Sequence, residues 1–244
     1  PRLWDNATWT TITGASTPAI TGVTTTLLAH VTLFKNRLFF VESTSMRLWY
    51  LPVNSVGGAA AQMDMGSIFR LGGYVMAAYT WTLDAGSGSD DHLVIISSNG
   101  EIAVYRGSDP SSSTDWSVIG VFTMGRPLGR RCAVKFGGDL AVNTYEGVYP
   151  LGKGLLSSSV DRRVALTDKI QNSVSQAAST LGANFGWQVC LNADDNMLIL
   201  NVPYGGGANY QYAQNTITGA WTVFSGWDAQ VWLKASTGLY YGGS

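Results

Sequence analysis

The stretch HLVIISSNGEIAVY, residues 92–105, consists of two apolar runs joined by a polar turn that contains Asn99 and Gly100. Asn-Gly accepts the positive φ angles of a tight hairpin turn, so the stretch predicts a β-hairpin. Both runs are almost continuously apolar, which is typical of strands covered on both faces of their sheet. This segment therefore predicts buried strand pairs as the unit from which the fold is built.

Similar hairpins recur along the chain. Apolar runs joined by short polar turns also occupy residues 31–51, 132–149, 187–202 and 230–241. We interpret them as the inner strands of successive β-sheets of one kind, because a repeated supersecondary unit indicates a repeat architecture.

A second repeat consists of a Trp followed by a hydroxyl residue, apolar residues and a Gly. Its copies begin at Trp9, Trp116 and Trp221, which are 107 and 105 positions apart. Two steps of about 50 residues fit between neighbouring copies, and strand-only units of that length are typical of β-propeller blades. We therefore predict an all-β fold, a β-propeller of about five blades, or six if residues 57–73 contain another.

The two ends of the chain predict how the ring closes. Residues 3–12 resemble an outer strand and residues 231–241 resemble inner strands, so together they would complete one blade without a free edge. A β-sandwich also uses short strands at regular spacing, but it gives no reason for this period. We expect a single propeller domain over 1–244 and, because the chain begins at Pro1 without Met, a place in a longer polypeptide.

One segment has helical spacing. Residues 167–181, TDKIQNSVSQAASTL, carry apolar side chains three and four positions apart, with Thr167 as N-cap, Asp168 in the first turn and Gly182 as the stop. This pattern predicts one helix inserted between the third and fourth blades. It either caps the sheets or projects toward a neighbouring subunit.

Composition excludes several classes of protein. Hydrophobic residues make up 45% and charged residues 13%, which excludes intrinsic disorder. Glu and Lys are too scarce for a mostly helical fold, and no apolar run is long enough for a transmembrane helix. Cys132 and Cys190 both lie in apolar runs, which favours two buried thiols while leaving a disulfide open.

No catalytic constellation is evident, so we predict that the protein is not an enzyme and needs no cofactor. His30 and His92 both adjoin apolar strand residues, and neither has a second ligand at the spacing of a zinc site. Residues 84–91 alternate carboxylates with small residues, as calcium loops do, but an ordinary loop is the simpler interpretation. The chain has only three Glu, and most Asp lie in turns, which disfavours a glycosidase.

The charges are unevenly distributed although the net charge is −1. Residues 84–115 carry six acids against one Arg, whereas residues 126–163 carry seven bases against three acids. Such segments could steer neighbouring subunits together, with solvated surface as the alternative. The interface candidates are Arg126, Arg130, Arg131, Arg162, Arg163, Asp90 and Asp91.

Four segments resemble one family. LFKNRLFFV at residues 33–41, RLWYLPV at 47–53, NTYEGVYPL at 143–151 and LTDKI at 166–170 are similar to runs in β-propeller nozzle or tubular tail proteins of short-tailed bacteriophages. The resemblance implies a structural protein of the virion that forms an oligomeric ring, often six-fold, around the genome exit channel. Its partners would be copies of itself, other tail or adaptor proteins and DNA in transit, with no cofactor and no membrane.

DNA that slides through such a ring should meet few cations, because each phosphate contact adds affinity. The low Lys content agrees with that expectation, so we assign the arginines to subunit contacts. The alternative function is a carbohydrate-binding propeller, a lectin-like receptor-binding protein. It is suggested by 9 Trp and 11 Tyr, whose rings can stack on sugars.

Overall fold

The computed structural model describes residues 1–84, 89–156, 164–206 and 208–243. Strands account for 51% of the protein and helix for 9%, which confirms the predicted all-β class. The chain divides into two compact units, Pro1–Thr123 and Met124–Ser244. We call them the first and the second unit. The single propeller domain over 1–244 stays a prediction.

The first unit contains two four-stranded antiparallel sheets: sheet I with the order β4-β5-β6-β8 and sheet II with the order β9-β10-β11-β12. Two short pairs accompany them, β1 with β2 and the parallel pair β3 with β7. The strands are β1 (Arg2–Trp4), β2 (Trp9–Thr11), β3 (Ile20–Thr21), β4 (Leu28–Phe34), β5 (Arg37–Glu42), β6 (Arg47–Tyr50), β7 (Gly58–Ala59), β8 (Ala61–Asp64), β9 (Val75–Asp84), β10 (Ser89–Ser97), β11 (Glu101–Arg106) and β12 (Ser117–Thr123).

Sheet I contains the predicted hairpin of residues 31–51. Lys35 and Asn36 form its turn with φ angles of 45° and 58°, the left-handed pair that a two-residue hairpin requires. The fourth strand, β8, lies within residues 57–73. That segment therefore completes sheet I, and the suggestion that it contains a further blade is wrong.

Sheet II contains the predicted hairpin of residues 92–105, with Val94 opposite Val104. The turn differs from the expected one, because Gly100 takes a positive φ of 88° and Asn99 does not. The Ser97 hydroxyl accepts the Glu101 N–H at 2.9 Å, so the turn is wider than two residues and needs only one left-handed position.

Apolar packing joins sheets I and II in the first unit. Phe39 from sheet I and Leu93 and Ile95 from sheet II belong to one buried cluster. Trp116, which directly precedes β12, stacks on Tyr105 with ring centroids 5.3 Å apart. This repeated Trp is therefore a packing residue, and β12 is the fourth strand of its sheet, as the repeat predicts.

The second unit contains sheet III (β13-β14-β15), the four-stranded sheet IV (β16-β17-β18-β19) and sheet V (β20-β21), all antiparallel. Trp221 begins the fourth strand of sheet IV. The elements are β13 (Ala133–Phe136), β14 (Asp139–Thr144), β15 (Gly147–Pro150), α1 (Leu151–Leu156), α2 (Gln171–Leu181), β16 (Gln188–Asn192), β17 (Met197–Gly205), β18 (Ala208–Asn215), β19 (Trp221–Ser225), β20 (Ala229–Ala235) and β21 (Gly238–Gly243).

The predicted helix is present as a 3-10 turn, Asp168–Ile170, followed by α2. Thr167 occupies the predicted N-cap position of this turn but makes no capping hydrogen bond, because its hydroxyl accepts the Val148 N–H at 3.1 Å and ties the segment to β15. At the other end, the Trp187 indole donates to Leu181 O at 2.9 Å. One face of α2 is buried in the core of the second unit. The short helix α1 has no counterpart in the sequence-based prediction.

The first strands of consecutive sheets lie side by side. In the first unit, His30 Nε2 on β4 is 2.8 Å from Ala78 O on β9, and the Thr80 hydroxyl donates to Leu33 O at 2.7 Å. In the second unit, Gln188 on β16 exchanges two hydrogen bonds of 2.8 Å with the backbone of Trp232 on β20. Within each unit, neighbouring sheets therefore contact one another through their first strands.

Burial is highest in the strands that carry the continuous apolar runs. The middle strands β5 and β10 are buried almost throughout their described side chains, and so are the edge strands β15 and β16, whereas the edge strands β12 and β19 contain only half-buried and exposed residues. The continuous apolar runs of the sequence thus mark buried strands, at the edge of a sheet as well as in its middle.

Candidate functional site

Among the predicted interface residues, Arg131 is held by the second unit itself. Its Nη2 donates to Gln230 O at 2.9 Å, and its guanidinium lies 5.0 Å from the centre of the Phe185 ring. The side chain is half-buried and links the start of sheet III to the start of sheet V. Contacts within the second unit therefore fix the position of the Arg131 side chain. Its guanidinium lies against the exposed ring of Phe185.

Arg126 is exposed and lies 5.4 Å from the centre of the Tyr145 ring. Arg130 is half-buried. Arg162 and Arg163 lie outside the described residues. Of the predicted interface arginines that the structure describes, Arg126 is thus exposed, whereas Arg130 and Arg131 are half-buried.

The charge of the acidic segment, residues 84–115, is compensated in part within the first unit. Asp91 lies 3.8 Å from Lys35 Nζ, and Asp109 lies 3.4 Å from Arg37 Nη2. The buried Glu101 accepts backbone N–H groups from a neighbouring loop. Summing charges along the sequence therefore overstates the field that this segment presents to a neighbour. For Asp90 only the backbone is described, in β10 opposite β9.

Two of these acids also hold their own loop. The backbone N–H and hydroxyl of Ser111, and then the Arg37 charge, lower the pKa of Asp109. The backbone N–H groups of Ser108 and Asp109 lower the pKa of Asp115. Both carboxylates serve the local backbone, as the sequence predicts for turn acids.

In the calcium-loop-like segment 84–91, residues 85–88 and the side chains of Asp84 and Asp90 lie outside the described residues. Among the residues that are described, no three His, Cys, Asp or Glu side chains come together as a metal site. Cys132 and Cys190 are both buried thiols, as predicted. Burial raises the pKa of the Cys190 thiol.

The described helices include none long and apolar enough to cross a membrane.

An aromatic rim, which sequence reasoning missed, lies at one end of sheet IV. It consists of Phe185, Tyr204 and Trp227, whose exposed fractions are 72%, 65% and 37%. Asn184 Nδ2 donates to Pro203 O at 3.1 Å and so holds the Phe185 loop against the strand that carries Tyr204. In the sequence, each of these residues appears as an aromatic residue next to Gly in a polar loop. That pattern is equally typical of an ordinary turn, so it does not identify an exposed aromatic surface.

Buried amides support this rim. Asn201 Nδ2 donates to Gly186 O at 2.8 Å and to Ala229 O at 2.9 Å, while its Oδ1 accepts from Gln211 Nε2 at 2.9 Å and Trp232 Nε1 at 3.0 Å. The same Gln211 nitrogen donates to the Trp227 carbonyl. Both loops of the rim are thus tied to one rigid centre. Aromatic groups that are exposed and pre-positioned are typical of contact surfaces.

No protein-family model matches the chain, and no curated protein sequence matches it either.

Proposed function

We propose that this protein is a structural component of a phage tail. It is the β-propeller domain of a nozzle or tail ring around the genome exit channel, and it acts in tail assembly and DNA passage in the virion. The observation that carries the proposal is the succession of antiparallel sheets joined through their first strands, built around the tail-protein-like segments. No turnover or cofactor is part of this function.

The strand arrangement supports the propeller. Propeller blades are four-stranded antiparallel sheets set around a central axis, so the first strands of neighbouring blades lie next to one another. Sheets I and II have that relation in the first unit, and sheets III, IV and V have it in the second. Five sheets are arranged in this way, which agrees with about five blades; sheets I, II and IV have four strands, sheet III has three and sheet V has two.

The family-like residues act in packing, as the resemblance implies. Lys35 and Asn36 form the first hairpin turn, and Phe39, Leu48 and Tyr50 fill the core of the first unit. Such roles suit a scaffold, which needs rigid sheets and no reacting groups.

We place the subunit contacts of the ring at the basic residues Arg126, Arg130 and Arg131 and at Phe185. Arg and aromatic residues are enriched in protein interfaces, and a guanidinium stacked on an exposed ring offers both at one place. Arg162 and Arg163 belong to the same proposed contact. Asp90 and Asp91 are its candidates on the neighbouring copy.

Charge reversal tests this placement. Arg126→Glu with Arg130→Glu should shift the oligomer distribution toward monomer at low salt, measured by native mass spectrometry, with little change in DNA affinity. Lys135→Glu, an exposed charge reversal on β13, is the matched control. If assembly is unchanged while DNA binding collapses, the arginines contact DNA instead. A protein that is strictly monomeric and absent from purified particles would overturn the virion proposal itself.

A further inference from the structure

A pocket of about 250 Å³ opens on sheet IV, on the face that sheet V covers only in part. Sheet V packs its Trp232 against Cys190 and Ile199 of β16 and β17. The pocket lies beyond them, over β17, β18 and β19, between the turns that end at Asn196 and Ala220. It belongs entirely to the second unit.

The floor of the pocket is apolar. Met197, Ala213 and Phe224 line it. Strand register places them on one face, because Ile199 pairs with Ala213 and Gln211 pairs with Phe224. Phe224 is supported from behind by Trp227, whose ring centroid is 5.2 Å away. The floor therefore offers a fixed aromatic ring beside small aliphatic groups.

The edge of the pocket is polar. Asp195 is held in place by Asn192 Nδ2, which donates to its Oδ2 at 2.7 Å. Asn215 uses its Oδ1 to accept two backbone N–H groups at 3.0 Å, which leaves its amide nitrogen available. Asn196 and Thr222 are exposed at the same edge, and neither side chain hydrogen-bonds to any part of the chain that the structure describes.

We propose that this pocket binds a neutral sugar ring. A pyranose has an apolar C–H face that suits the Phe224, Met197 and Ala213 floor, and hydroxyls that suit the amide and carboxylate edge. The volume lies just below the ~300–1,000 Å³ of pockets for drug-sized ligands, which fits a single ring.

Charge selects against acidic sugars. Asp194 is paired with Lys234 at 2.8 Å, whereas Asp195 brings its carboxylate to the edge without a cation. The binding site does not rest on the proposed virion function, and it gives the carbohydrate-binding alternative a location.

The test is a titration of the full chain with the methyl glycosides of glucose, mannose and N-acetylglucosamine, and with that of sialic acid as the anionic comparison. Amide signals are followed by heteronuclear NMR. At least one neutral glycoside should give saturable shifts centred on residues 195–197 and 213–224. The sialoside should not.

Neighbouring residues on β19 provide a matched pair of variants. Thr222→Lys introduces bulk at the pocket edge and should weaken binding by about tenfold or more, the loss expected for a hydrogen bond and its contacts. Val223→Lys alters the next exposed residue, which does not line the pocket, and should stay within about twofold. The proposal is overturned if no neutral glycoside shifts these signals, if the sialoside binds better, or if both variants behave alike.

Discussion

The junction between sheets I and II and the junction between sheets IV and V join neighbouring sheets by different chemistry. The first is mainly apolar, with Phe39, Tyr105 and Trp116 stacked over one another, although His30 and Thr80 add hydrogen bonds between β4 and β9. The second is centred on the buried amide of Asn201, which hydrogen-bonds to three chain segments: the Gly186 loop, β18 through Gln211, and β20. Apolar contact is non-directional, whereas a hydrogen-bond network specifies one arrangement. The first junction therefore provides mainly stability, and the second also positions the loops of the aromatic rim.

Truncation of the apolar junction should have the largest effect. Phe39→Ala removes a fully buried ring and should lower the free energy of unfolding by about 3–5 kcal/mol. Urea denaturation followed by circular dichroism measures the loss. Phe185→Ala, which removes an exposed ring, should change stability by less than about 0.5 kcal/mol. Equal losses for the two variants would show that the stacked junction does not dominate stability.

Mutations in the amide junction should lower the free energy of unfolding by less than Phe39→Ala does, and their effects should depend on one another. Asn201→Ala leaves buried partners unsatisfied and should cost about 1–3 kcal/mol. Trp232→Phe removes the indole donor to Asn201 Oδ1 together with part of the buried ring. In a double-mutant cycle the two changes should couple by about 0.5–3 kcal/mol, as groups in one network do. Simple additivity would mean that these side chains act independently.

Acid should lower the stability of the first unit by protonating Asp109. This effect should be smaller than those of the Phe39 and Asn201 variants. The pKa of Asp109 is lowered in the folded state by the Ser111 N–H and hydroxyl and then by Arg37, so the carboxylate stabilises the fold above its ordinary pKa. That stabilisation is lost as the pH falls through the folded pKa. Ser111→Ala should therefore reduce the decrease in melting temperature between about pH 5 and pH 3, a range around the ordinary Asp pKa.

The neighbouring change Ser113→Ala serves as the control, because Ser113 is exposed and no hydrogen bond to Asp109 involves it. The decrease in melting temperature of Ser113→Ala on acidification should equal that of the unaltered protein. If both Ser variants respond alike, the loop and not the carboxylate governs the response to acid.

Much of the fold could be predicted because it depends on neighbours in sequence. The hairpin of residues 31–51 with its Lys35-Asn36 turn, the buried strand runs and the helical spacing before Gly182 are all local features. Prediction was incomplete where a side chain made a contact that the local pattern does not contain. The Thr167 hydroxyl accepts the Val148 N–H from β15, and the Ser97 hydroxyl widens the Asn99-Gly100 turn by accepting the Glu101 N–H.

For the candidate surfaces, local sequence is sufficient to identify residue types but not their surroundings. Arg131, Asp91 and Asp109 are evident as charges, yet folding brings each of them to a partner 40 or more positions away: Gln230, Lys35 and Arg37. The aromatic rim, the Asn201 network and the pocket on sheet IV likewise combine side chains from separate strands. Strand periodicity acts over two residues, whereas burial, charge compensation and pocket shape arise only when sheets pack, and so only the tertiary structure reveals them.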